Sequence, residues 1–186
     1  MVIDNFIYVI CVLLIMLIGI IADTHDNAKN FLKAIDIFNK KNVEVILHLG
    51  DWVSPFMLRF CKQSQAKIIS IFGNNEHDRK RYAQKAKQFE VPVKFIGTLA
   101  ELILDNTRFF LCHGKSKEEL QIALSSKKYD VVLSADTHLA LQEKIGKTLH
   151  INPGTTCGIH NEETNHELTI ALYNTHTHQA EIVHLD

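Results

Sequence analysis

The chemistry in this chain gathers where apolar runs stop. Residues 16–27 read Met-Leu-Ile-Gly-Ile-Ile-Ala-Asp-Thr-His-Asp-Asn, a buried-strand pattern that ends at Asp23 with His25 two places on. A carboxylate and an imidazole aimed from one strand end form half a metal site. The plain alternative is a turn in which Asp23, Asp26 or Asn27 caps the next helix. The pattern then recurs: residues 43–49 end in Gly50-Asp51, residues 67–72 in Gly73-Asn74, residues 108–112 in His113-Gly114 and residues 130–134 in Ala135-Asp136-Thr137-His138. Each alone has a turn or capping explanation. Together they form a set of oxygen and imidazole donors beyond strand ends, which suits a dinuclear site for Mn²⁺, Fe, Zn²⁺ or Mg²⁺. One carboxylate must bridge ions held about 3.5–4 Å apart, and Asp51 is the best candidate.

The elements that must position these groups are legible as alternating strands and helices. Phe31, Leu32, Ile35 and Phe38 recur at helical spacing over 28–41, with Asp26 or Asn27 as cap. Ser54-Pro55 starts a short helix through about residue 62, and residues 79–88 form a basic helix read as a solvated face with a phosphate-facing role as the alternative. Short strands follow at 93–96 and 101–104, then a helix from Ser116 to about 126 with a Ser116/Glu119 capping box. Residues 141–145 and 148–152 pair across Gly146, Asn152-Pro153-Gly154 makes a tight turn, and 168–173 with 180–185 close the chain as a hairpin. The fold class implied is α/β, a two-sheet α/β/β/α sandwich.

Composition sets bounds. At 186 residues, 46% apolar and 22% charged, the chain fits one globular domain over residues 16–186. A net charge of −1, from 20 basic and 21 acidic residues, gives no general attraction for nucleic acid, although a local patch is compatible with it. Four cysteines at 11, 61, 112 and 157 include no CxxC pair, which argues against a zinc ribbon or a disulfide framework and suits the cytoplasm. Residues 1–15 are an apolar extension; Met16 as the true start, a membrane-associated anchor and a segment packed on the body are the three readings of it.

The ordered series Asp23-x-His25, Gly50-Asp51, Gly73-Asn74, His113-Gly114 and Asp136-Thr137-His138 resembles the calcineurin-like metallophosphoesterase superfamily. The short length, Asn152-Pro153-Gly154 and the start of the first motif resemble its small bacterial and archaeal phosphodiesterases, relatives of the retromer small subunit. That resemblance implies one metal on Asp23, His25, Asp51 and His138, and a second on Asp51, Asn74, His113 and residue 136. It implies two divalent ions, Mn²⁺ foremost, with Ni²⁺, Fe²⁺, Co²⁺, Zn²⁺ or Mg²⁺ as alternatives. The implied activity is hydrolysis of a small phosphodiester by metal-activated hydroxide, without a covalent intermediate. The chain departs from the family at Asp136, where members carry histidine, and the replacement either ligates a harder metal or weakens the second site.

A general acid is less defined. His77 is the nearest candidate, but relatives that use a histidine carry it directly after the metal-bound asparagine, where Asn75 stands here. Glu76 is a candidate for orienting a ligand. His48 reads as a core residue, and His150, His160, His166, His176, His178 and His184 as exposed turn chemistry. A non-catalytic scaffold and a phosphomonoesterase are the alternatives to the diesterase. Monomer and homo-oligomer stay open.

Overall fold

Side-chain alternation along β1 (Leu17–Ile21) sets the layers. In the computed structural model, which describes residues 16–114, 117–158 and 167–185, Ile18 and Ile20 face a core between two sheets, and Ile21 faces a second core beneath helices. Gly19 lets a helix lie directly on the strand, because a Cβ there would sit 2.7 Å from Cε1 of Phe38.

In the first sheet β1 pairs in parallel with β2 (Val45–His48), which continues through β3 (Lys67–Ser70) to β4 (Val93–Phe95), all parallel. On the other side β1 runs antiparallel to β10 (Thr169–Asn174), which pairs with β11 (Gln179–His184) as the predicted hairpin. The second sheet has the order β5 (Leu99–Leu104), β6 (Thr107–Cys112), β7 (Val131–Leu133), β9 (Thr148–Pro153), β8 (Ala140–Ile145). Ile18, Ile20, Leu47, Leu49 and Ile71 meet Phe109, Leu111, Val131, Leu133 and Ile151 between the sheets. Burying a side chain of this size contributes about 1.5–3 kcal/mol, so the two sheets are held in one fixed relation.

Outside the first sheet lie α1 (Ala28–Lys40), a 3₁₀ helix (Pro55–Gln63) and α2 (Arg79–Phe89). Asn27, rather than Asp26, caps α1, its Oδ1 accepting from Asn30 N at 3.0 Å. Ser54 and Pro55 start the second helix as predicted, but its turns are 3₁₀, which aligns the buried Leu58 and Cys61 three residues apart on one side. α3 (Lys117–Ser125) covers the second sheet, its Ala123 and Leu124 packing with Tyr129 and Val132. Ser116, the expected cap, lies outside the described residues. The layers are α/β/β/α, as the sequence implied.

Two local readings change. Pro153 is the last residue of β9 rather than the centre of a tight turn, and the chain bends after it at Gly154, φ +78°. His150 is buried, not exposed: its Nε2 lies 2.8 Å from Ser134 Oγ and its Nδ1 3.0 Å from Glu143 Oε1, because β9 carries it into the sheet interior. Cys61, Cys112 and Cys157 are buried and unbridged. Among the described residues no helix is long and apolar enough to cross a membrane; residues 1–15, His160 and His166 lie outside them.

Candidate metal centre

The parallel strands β1, β2 and β3 of one sheet and β6 and β7 of the other all release their chains at one rim. Asp23 and His25 follow β1, Asp51 follows β2, Asn74 follows β3, His113 follows β6, and Asp136 and His138 follow β7. Asp51 stands in the middle. Its Oδ2 is 3.4 Å from His25 Nε2 and its Oδ1 is 3.4 Å from His113 Nε2. Asp23 Oδ1 is 3.9 Å from both of those nitrogens and 3.6 Å from His138 Nε2. Asp136 Oδ1 is 3.5 Å from His113 Nε2, and its backbone N donates to Asp23 Oδ2 at 3.2 Å.

Two triads therefore have ligating atoms within 4.8 Å of one another, Asp23/His25/His138 and Asp23/Asp51/His113. Asp23 belongs to both. The sequence reading gave the shared place to Asp51, whose two oxygens face imidazoles on opposite sides.

The rim fits a cation by the atoms it leaves unmatched. Asp23 Oδ1, His25 Nε2, Asn74 Oδ1 and His113 Nε2 are all buried and have no hydrogen-bond partner. Leaving one such group unsatisfied costs about 1–3 kcal/mol, so four in one place call for a ligand of matching chemistry. The His113 Nδ1–H donates to Leu49 O at 2.8 Å, which aims Nε2 at the carboxylates.

The charges point the same way. Burial lifts the Asp23 carboxyl to about 7, with the Asp51 charge adding to the rise and His113 opposing it. Burial alone would lower the His113 imidazole, but the carboxylates of Asp51 and Asp23 outweigh it and lift the group to about 9. Asp51 is held well below the usual carboxylate range: burial pushes it up, while His113 and two hydrogen bonds from Asn75 prevail. Those bonds run from Asn75 N to Oδ1 at 3.0 Å and from Asn75 Nδ2 to Oδ2 at 2.5 Å. Without a bound cation, protons on Asp23 and His113 and the donors of Asn75 would offset the same charge.

The backbone is bent to this purpose. Asp23, His25, Asp51, Asp136 and His138 all have left-handed φ, between 42° and 71°. Such residues cost about 1–3 kcal/mol each and persist where the surroundings enforce them. The enforcing contacts are visible. Glu76 is buried, and its carboxylate accepts from the backbone N of Trp52, of Val53 at 3.4 Å and of Gly73 at 2.5 Å, binding the loops after β2 and β3 together. It steadies the main chain on either side of the candidate ligands rather than a ligand side chain. Gly50 and Gly73 let those loops touch: a Cβ on Gly73 would fall 2.1 Å from Asp51 Oδ1, and one on Gly50 2.4 Å from Gly73 N.

Two further residues do comparable work. Asn152 Nδ2 donates to Ala135 O at 3.2 Å and Thr137 Oγ1 at 3.1 Å, holding the loop that carries Asp136 and His138. His48, correctly read as core, accepts from Gly50 N at Nδ1, 3.1 Å, so its Nε2–H donates to Thr24 Oγ1 at 2.8 Å. It also stacks on Trp52 at 3.6 Å. Sequence reasoning gave no role to Asn75 or to the Asn152 side chain, and neither carries a local signal, since both act across long sequence separations.

A cavity of about 440 Å³ opens beside Asn74 and His113, with Phe72, His77, Arg79 and Leu99 on its walls. His77 is exposed there and, among the described residues, makes no hydrogen bond or ion pair with a rim carboxylate.

A four-layer sandwich with oxygen and imidazole donors gathered at one rim is the architecture of a candidate metal centre, and comparison with known proteins gives its family. A family model described as the calcineurin-like phosphoesterase superfamily domain matches residues 16–182. A phosphodiesterase of Methanocaldococcus jannaschii is 38% identical over 143 residues, covering 77% of this chain and 86% of that protein. The solved structure of an archaeal phosphodiesterase superposes with a TM-score of 0.83 at 34% identity, covering 91% of this chain and all (100%) of that one. Vps29 of Entamoeba histolytica, at 15% identity, shares the fold with a TM-score of 0.61 over 92% of this chain and 100% of its own. The protein belongs to the calcineurin-like phosphoesterase superfamily.

Proposed function

We propose that the protein is a phosphodiesterase that hydrolyses a small phosphodiester at a dinuclear metal centre, with Mn²⁺ as the preferred ion. The observation that carries this reading is that four buried atoms without partners, from the ends of β1, β3 and β6, lie along the rim where Asp51 stands between His25 and His113. Asp23, His25, Asp51 and His138 would hold one ion, and Asp51, Asn74, His113 and Asp136 the other. Divalent ions bound there supply charge neutralisation at the phosphate oxygens and a hydroxide nucleophile near neutral pH. The similarity to an archaeal phosphodiesterase in sequence, and to a solved structure so described, supports the diester as substrate.

The chain's own residues do the rest. Asn74 and His113 border the cavity, so an ester group of the substrate rests between Phe72, Leu99 and Arg79. His77 on that wall delivers the proton to the departing alcohol. Replacing His77 with alanine should slow hydrolysis of an alkyl diester about a hundredfold and leave a nitrophenyl diester nearly unchanged, since nitrophenolate leaves without a proton. Equal losses on both would remove His77 from that role.

The direct test is a chromogenic diester assay with Mn²⁺, Ni²⁺, Co²⁺ and Mg²⁺. Turnover of the diester, lost in Asn74→Ala and His113→Ala, is expected. No turnover with any ion supports a scaffold of the same fold, the reading that Asp136 in place of histidine favours. Preference for a monoester would make the protein a phosphomonoesterase.

A further inference from the structure

A cationic aromatic patch lies on the helices beside the rim. Phe56, 41% exposed, has three cations around its ring: Lys85 Nζ at 4.7 Å, Arg59 Cζ at 5.5 Å and Arg81 Cζ at 5.7 Å. Phe89 lies 6.5 Å from Phe56 and is contacted by Arg59 and Lys85 as well. Among the described residues none of these three cations is paired with a carboxylate. α2 has five cations in eleven residues and no acid between its caps, in a protein whose net charge is −1. The positive charge is therefore concentrated between the acidic caps Asp78 and Glu90.

The patch touches the candidate centre from two directions. A recess of about 220 Å³ runs from Asp26, next to His25, past Ser54 to Phe56 and Arg59. On the other flank α2 begins at Arg79, in the wall of the cavity bordered by Asn74 and His113.

We propose that this surface binds single-stranded nucleic acid and leads it to the rim, making the substrate a diester within an oligonucleotide. This rests on the phosphodiesterase reading for the chemistry at the rim, while the binding itself needs no metal. Successive bases have faces that stack on an exposed aromatic ring, and the intervening phosphates meet Arg and Lys, which is how sequence-tolerant single-strand binding works. Arg81 and Lys85 are one helical turn apart, about 6 Å along the axis, on the side that meets the 3₁₀ helix. A duplex, with its bases already stacked, offers no face to Phe56.

The test is fluorescence anisotropy of a labelled single strand of about 12 nucleotides, in EDTA, with duplex and anionic phosphatidylserine vesicles as competitors. Saturable binding is expected, with a slope of log affinity against log salt of about −2, from three phosphate contacts at about 0.7 each. Arg59→Gln, Arg81→Gln and Lys85→Gln together should flatten that slope, and Phe56→Ala should weaken binding about tenfold. Both variants should keep the melting temperature and the turnover of a small chromogenic diester. No saturable binding, binding indifferent to the four residues, or competition by duplex or vesicles as strong as by single strand would each overturn the proposal. Binding without diester turnover would sustain the binding surface while removing the hydrolase reading and, with it, the oligonucleotide as substrate.

Discussion

Asp23 and His113 each bind protons more tightly in the folded, metal-free chain than in the unfolded one. Asp23 is raised from 3.8 to about 7 and His113 from 6.5 to about 9, while burial keeps His48 neutral in the fold and offsets the Asp23 effect below 6.5, so it is above 6.5 that the folded state carries more protons than the unfolded state. Stability must then fall as pH rises through that window. The Asp51 shift has the opposite sense and acts only at the acid end, below 3.8. Thermal unfolding in EDTA should show a melting temperature that declines from about pH 6.5 to about 9. Saturating Mn²⁺ should remove the decline, because ligation replaces the protons. A flat profile without metal would contradict the picture of protons standing in for a cation. Asp136 offers a second test at this scale. Its carboxylate reaches His113, yet its side chain is 40% exposed and shorter than an imidazole. Asp136→His should tighten the weaker ion about tenfold in calorimetry and raise diester turnover; an unchanged or lower value would show that aspartate is already a competent ligand.

At the scale of elements, the loops after β2 and β3 act as one unit because Glu76 bonds to both. Glu76→Gln puts an amide donor where one of these N–H groups needs an acceptor. The variant should lose about 1–3 kcal/mol in denaturant unfolding and bind Mn²⁺ more weakly; an unchanged midpoint and affinity would deny it the positioning role. The strands themselves were legible, since each apolar run breaks at a polar residue, and those breaks located Asp23, Asp51, Asn74, His113 and Asp136. What holds the loops was not. The left-handed backbone at Asp51 depends on Gly73 leaving room beside it, and the loop bearing His138 depends on Asn152, contacts made by tertiary packing with no trace in local spacing. His150 misled for the same reason: its partners Ser134 and Glu143 lie on β7's end and on β8, and only the register of β9 brings them together.

At the scale of the molecule, two sheets locked by one apolar core place donors from both sheets at a common edge, with Asp23 and Asp136 separated by 113 positions in sequence. A common edge built this way should hold two ions, and counting them there tests it. Crystals grown with Mn²⁺ and measured at the manganese absorption edge should give two anomalous peaks about 3.5–4 Å apart, with Asp51 between them and Asn74 and His113 on the second ion. A single peak, or two peaks that do not share Asp51, would contradict the account.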